Sequence, residues 1–462
     1  MARLSTESSS NKDIITTVNK ISTTSYTVSP PSGFNTPSKI TGITATKDGD
    51  KYSCSVTPSS LVGLSSFTNY LYVDVDNGAN FGAATSWATA EKRIADTIDL
   101  AIAAAVPTRI FIKGGTYKRE RSICGFDSSK ALTAPISLEG VYGRVVSGVF
   151  DDLTYTKTGG QNYVYQATRS SVINVIDSIR KDDDGNLKLL STATSIADCD
   201  ATPNSWFTDN ITLYIHSADS GIVNDFTHRG IMSSKGAALY GDHNIYLSNI
   251  DMYGGNTGSL DIRNGSTNTV VTNNCRMNYA ISGTFGSEVE KNGAAILDCG
   301  LFAAFDSEAS NNSADGFNLH INNSVIPDAL TVNCKGFSNG HRLSSTVSNN
   351  GISVHDGSKL IDIGGTWLKS KGTNAGHVSA GTEAWHFGSV SGMSEGDVIA
   401  GGSITWGAFG AWDSTSKMWL DSCTDIGASL GVYAGSSSTV KIARHSGDGA
   451  HTSTVGTYDP NS

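Results

Sequence analysis

The sequence predicts an all-β chain coiled as a solenoid of short strands, and three observations carry that prediction. First, the 462 residues include 50 Gly and only 16% charged groups, with polar positions filled mainly by Ser, Thr and Asn. This composition suits turns and short strands rather than long surface helices. Second, a short apolar segment followed by Asn, Asp or Ser and then Cys or Ile recurs through the second half. Third, Asn311–His320 and Asn349–Gly357 share a design: each opens on Asn-Asn and reaches an acid and a histidine within ten residues.

The recurring segments are Ile245–Ile250, Val270–Cys275, Ala294–Cys299, Ala329–Cys334, Lys359–Ile363 and, later, Met418–Cys423. The first five end at positions 250, 275, 299, 334 and 363, which are 25, 24, 35 and 29 residues apart. Repeats of that length without helical periods are the mark of a β-solenoid, and the variable step means loops of different length leave the coil. Ladders of thiols and of Asn or Asp at one bend explain the recurring residues, since each meets its counterpart in the next coil roughly 4.8 Å away. A hydrophobic content of 38% is enough to fill such a core.

In chain order, residues 1–68 are rich in Ser, Thr and Pro and read as a separate terminal segment, either partly ordered or serving to attach the body to something larger. Tyr70–Val75 alternates as a strand and Asn77-Gly78 follows as a turn. Ile94, Ile98 and Ile102 then fall on one helical face in a segment stopped by Pro107. A helix placed there covers the open end of a coil whose strand edges would otherwise pair with other chains. Strand-like Arg109–Tyr117 comes next. The spacing is less regular between 122 and 220, where Asp182–Asn186 forms a tight acidic turn lacking the twelfth-position acid of a calcium loop. The coil is expected over 69–445, with a Gly, Ser and Thr rich tail over 446–462.

A net charge of -10 with no clustered Lys and Arg argues against a nucleic-acid partner. No apolar run reaches transmembrane length, and Met1-Ala2-Arg3-Leu4 opens no signal peptide, so membrane insertion and the usual secretion route are not expected. Seven cysteines without a Cys-x-x-Cys pair read as reduced thiols used as small apolar fillers.

The entry strand and helix over Tyr70–Ala105, the strand Phe111–Tyr117 and the recurring segments resemble the right-handed parallel β-helix proteins of the pectate-lyase-like superfamily, and among them the bacteriophage tailspikes. The resemblance covers roughly Asn69 to the C-terminus. It implies a homotrimer that assembles in the host cytoplasm and is carried on the virion tail or baseplate through its N-terminal segment. It further implies binding, and usually cleavage, of bacterial surface polysaccharide, capsule or O-antigen, without a cofactor. The calcium-binding aspartates of pectate lyases have no counterpart in this chain, so the site is argued from chemistry.

Glycan hydrolysis needs one carboxyl group as acid and a second as base or nucleophile, roughly 5 to 9.5 Å apart, which carboxylates one or two coils apart supply. Asp315 and Asp356 are the first pair, with Asp306, Glu308 and Glu383 in reserve. Asp315 precedes Gly316 and Asp356 precedes Gly357, so each is equally readable as a turn aspartate bonding its own backbone. Their histidine neighbours His320 and His355 favour catalysis. His341, His377 and His386 complete five of the ten histidines between positions 320 and 386, suited to hydrogen-bonding sugar hydroxyls or to acid–base work in a lyase. No metal-ligand spacing is evident, so no metal is expected. Arg342 beside His341 suits a sugar carboxylate. Trp385, within Glu383-Ala384-Trp385-His386, is the tryptophan expected to stack on a pyranose ring.

Overall fold

A computed structural model describes residues 25–125, 128–323, 325–340, 349–377, 379–394, 407–413, 415–428, 430–435, 437–447, 449–451 and 455–457. Most of the described strands enter two large sheets and a third stack, all built from parallel pairs. The first sheet begins with Asn69–Val73, Thr108–Tyr117 and Ile136–Gly148. It continues through Ile245–Ser248, Thr269–Asn273, Leu301–Phe305, Asp328–Val332, Lys359–Ile363, Glu383–Phe387, Lys417–Asp421, Thr439–Ala443 and Val455–Thr457. The second holds Ala237–Tyr240, Leu260–Arg263, Ala294–Leu297, Phe317–His320, Ile352–Val354, Ala375–His377, Phe409–Ala411, Leu430–Ala434 and Ala450–His451, preceded by Lys130–Ala131. Lys335–Phe337, Thr366–Leu368, Val390–Gly392, Thr424–Ile426 and Ser446–Gly447 form the third. From residue 294 onward the chain visits second sheet, first sheet and third stack in turn, each new strand adding beside its predecessor.

Period-two alternation decides which side chains fill the interior. Phe317 and Leu319, Ile352 and Val354, and Phe409 and Ala411 are all fully buried and belong to one apolar cluster with Phe302, Ala304, Trp367 and Leu420. The expected helix is present over Ile94–Ala104. It buries Ile94 and Ile98 in that cluster, with Ile102 packed at its edge.

The bend between first sheet and third stack is held by a left-handed residue in every turn. Asn249, Asn274, Asp306, Asn333, Ser422 and Arg444 have φ between 46° and 60°, and Gly364 and Gly388 fill the same place at 65° and 69°. From Asn249 to Ser422 each of these amides donates to the last strand residue of the next turn, as in Asn274 N to Phe305 O at 2.8 Å and Asn333 N to Ile363 O at 2.8 Å. Asn and Gly tolerate this conformation best, which is why Asn recurs.

The repeat differs from the sequence expectation at two places. Ala294–Leu297 pairs with Leu260–Arg263 in the second sheet, not the first, so Cys299 is not the counterpart of Cys275 and Cys334. That position falls to Ser307, whose hydroxyl accepts the Cys275 amide at 3.2 Å. Ile363 pairs with Val332, so the next counterpart is Gly365. Four-residue apolar runs look alike in both sheets, and only strand pairing separates them.

Residues 25–68 lie along the outer face of the first sheet. Tyr26–Val28, Ala45–Asp48 and Lys51–Cys54 form an antiparallel sheet, and Phe34, Ile40, Ile43, Val62 and Phe67 pack on Tyr246, Leu330, Ile361, Trp385 and Trp419. A second unit, between Val149 and Met232, folds as mostly antiparallel sheets and docks on the third stack through the acidic turn. Asp182 accepts from the Asn311 amide group at 3.1 Å, and Asp184 accepts from Ser338 at 3.1 Å and pairs with Lys369 at 2.9 Å. No helix among the described residues is long and apolar enough to cross a membrane.

Candidate active site

The outward face of the second sheet carries the chemistry. Strand Phe317–His320 turns Phe317 and Leu319 inward, which leaves Asn318 and His320 outside. The register Phe317↔Ile352, Asn318↔Ser353, Leu319↔Val354 places His355 beside His320. The two rings stack with centroids 3.7 Å apart. His320 Nδ1 lies 2.9 Å from Asp356 Oδ2, which also accepts the Ile321 amide at 3.0 Å. Asp356 itself adopts φ 61° at the turn before Gly357, and its carboxylate reaches the neighbouring turn of chain.

Asp315 enters the same cluster from the loop before the strand. Its Oδ1 accepts the Asn350 amide at 2.7 Å and its Oδ2 the Asn318 side chain at 2.6 Å. Asn350 Nδ2 donates to Ser353 Oγ at 3.2 Å, and Ser353 Oγ meets His355 Nε2 at 2.7 Å. A hydrogen-bonded path therefore runs from Asp315 to His355, and the ring stack carries it on to His320 and Asp356.

The two aspartates sit in contrasting environments. Asp315 is only 7% exposed, and burial pushes its carboxyl up to about 6, against the Asn350 and Asn318 hydrogen bonds and His320, with Glu290 adding to the rise. Burial also acts upward on Asp356, but the Ile321 amide and His320 hold that carboxyl below its ordinary value. Burial lowers His355 to about 3, reinforced by His320 and opposed by Asp356. Pairs of titratable groups pushed apart in this way are a general feature of acid–base sites.

Glu290 was not anticipated from the sequence. It ends the hairpin Ile281–Thr284 and Ser287–Glu290, which leaves the stack just before the site loop. Ser313 Oγ accepts the Lys291 amide at 2.8 Å and Asn292 Oδ1 the Asp315 amide at 3.1 Å. Among the described residues, the buried Glu290 Oε1 has no hydrogen-bond partner. Nothing local marks Glu290, because its approach to Asp315 is made by the hairpin's return.

The other expected site residues divide. Glu383 is buried and fully engaged: Asn35 donates to it twice at 2.8 Å and Lys417 pairs with it at 3.0 Å. Trp385 is 1% exposed beneath residues 25–68, so it offers no face to a sugar. His386 points inward and binds Asp362 at 2.8 Å, where Trp367 and Ser389 also donate. These three are corrections with one cause: the first sheet's outer face is covered and its inner face is core. Asp306 is a bend residue receiving Asn333 Nδ2 at 3.4 Å, and Glu308 bridges Arg276 and Lys335 and meets Asn278 Nδ2 at 3.4 Å; neither joins the Asp315 cluster. His341 and Arg342 lie outside the described residues, as does the side chain of His377.

An aromatic surface does occur on the face that carries the aspartates. Gly376, Gly410 and Tyr433 occupy successive outward positions. The Trp412 indole lies over Gly410, where an added Cβ would come within 2.5 Å of it, and meets the Tyr433 ring at 5.6 Å. In the other direction along the face, Arg263 is held by Asp261 at 2.8 Å.

No family model and no curated protein matches the chain. Among solved structures it is similar to a glycoside hydrolase at 7% identity and TM-score 0.45, covering 84% of this chain and 97% of that one. XylC in complex with xylose is similar at 7% identity and TM-score 0.47, over 83% and 69%. Pectate lyase Pel9A is similar at 15% identity and TM-score 0.39, over 84% and 78%.

Proposed function

We propose that the protein is a polysaccharide depolymerase built on a right-handed parallel β-helix, which binds bacterial capsule or O-antigen and cuts it as an endo-glycosidase. In this reading it is a homotrimeric phage tailspike, attached to the virion through its N-terminal residues. The observation that carries the catalytic part is the contrast between Asp315, whose buried carboxyl is pushed up to about 6, and Asp356, held below its ordinary value by the Ile321 amide and His320, with His320 and His355 stacked between them. Asp315 protonates the glycosidic oxygen. Asp356, steered by His320, serves as base or nucleophile, and Glu290 keeps the Asp315 proton in place. The Trp412–Tyr433 surface supplies a flat apolar face for a sugar ring, and Arg263 a cation for an acidic substituent.

The test is incubation with polysaccharides purified from candidate host bacteria. Short saturated oligosaccharides, lost in Asp315→Asn, are the expected products. Ultraviolet-absorbing unsaturated products make it a lyase instead, with His320 as the base. Retention of intact glycan without cleavage makes it a binding spike.

A further inference from the structure

Toward the C-terminal end of the described stacks, three side chains of the kinds that ligate metals come together. Asp425 lies in the third-stack strand Thr424–Ile426, His445 at the bend before Ser446–Gly447, and His451 on the final strand of the second sheet. His451 lies opposite Val432, where the register shifts, and is exposed. The His445 ring, at the place held by Cys423 one turn earlier, packs 6.1 Å from core Phe409.

We propose that Asp425, His445 and His451 bind a divalent transition-metal ion of the zinc type. One ligand atom from each lies within 4.8 Å of the others. The Asp425 side chain is fully buried and that of His445 is 4% exposed. The hydrogen-bond partners of Asp425 are the Gly449 amide at 3.0 Å and His445 Nε2 at 3.3 Å. Among the described residues no Lys or Arg balances this carboxylate, and a buried charge without a counter-charge is costly. The other nitrogen of His445 has no hydrogen-bond partner among the described residues, so the ring keeps an uncommitted ligand atom.

The surroundings make room for the group. A Cβ on Gly447 would stand 1.9 Å from Asp425 Oδ2 and one on Gly431 2.4 Å from it, so glycine at both places forms a cradle for the carboxylate. Two imidazoles and one carboxylate select zinc, cobalt or nickel over magnesium and calcium, which prefer oxygen-only shells. A bound cation ties bend, third stack and second sheet together at the end of the stack, and closes it by binding only the folded state.

The test uses the full chain, stripped with a chelator and titrated with zinc chloride by calorimetry, with cobalt(II) as a visible-absorption reporter of histidine ligation. One saturable equivalent of zinc is expected, with a Tm that rises on loading and falls on chelation. His451→Ala, at the exposed end of the triad and so safest for folding, is expected to weaken binding on the order of tenfold or more. Absence of saturable binding overturns the proposal, as does zinc binding unchanged in His451→Ala, which would place the ion elsewhere. If Asp425→Asn fails to fold, the His451 variant alone decides.

Discussion

His320 and His355 stack ring on ring at 3.7 Å, and only His320 is joined to a carboxylate, Asp356, at 2.9 Å. Two adjacent imidazoles cannot both be charged without strong repulsion, so the pair divides its tasks. His320, 40% exposed, faces solvent, while burial keeps His355 neutral against Ser353.

Acid lability follows from His355. The unfolded chain takes up this proton near pH 6.5 and the folded chain only near 3. Stability from the neutral ring is therefore complete above about pH 6.5 and is lost as pH falls toward 3. His355→Gln is expected to show a smaller fall in Tm between about pH 7.5 and pH 4.5 than the parent; an equal fall contradicts the assignment.

Asp315 acts in the opposite sense. Its folded carboxyl titrates near 6 against 3.8 in the unfolded state, so ionisation weakens folding as pH rises from about 4 to 6. Asp315→Asn is expected to lower glycan cleavage by about 10²- to 10⁴-fold. The same variant should be more stable at about pH 8, by up to ~3 kcal/mol, with the gain gone below about pH 4. Equal Tm differences at both pH values refute it.

Glu290 raises the Asp315 pKa, so its removal lowers it. Glu290→Gln is expected to move the alkaline limb of the cleavage pH profile to lower pH, since the acid loses its proton earlier. An unmoved limb with merely reduced activity denies the coupling.

Trp385 and Trp412 separate packing from binding. Trp385→Ala empties a site between the first sheet and residues 25–68 and is expected to cost about 3–5 kcal/mol in denaturant unfolding, with glycan affinity unchanged in the folded protein. Trp412→Ala is expected to do the reverse, weakening binding by about 1–3 kcal/mol with a small change in Tm.

The strand-and-turn character, the helix at Ile94–Ala104 and the recurring Asn bend were legible because each depends on short-range backbone preferences. So was the likeness of Asn311–His320 to Asn349–Gly357, whose strands prove to be direct neighbours. The assignment of Ala294–Leu297 to its sheet was not legible, since an apolar tetrapeptide carries no mark of its partner strand.

The sequence alone determined that short strands would alternate with tight left-handed turns, because Asn, Asp and Gly tolerate that conformation where other residues resist it. Only the tertiary structure decided which polar side chains remain accessible. Glu383, Trp385 and His386 are buried because residues 25–68 cover one face of their strand and the core fills the other, whereas His320 and Asp356 keep part of their surface open, with Asp315 buried beside them. Exposure and proximity are set by pairing over long chain separations, which no local run of residues encodes.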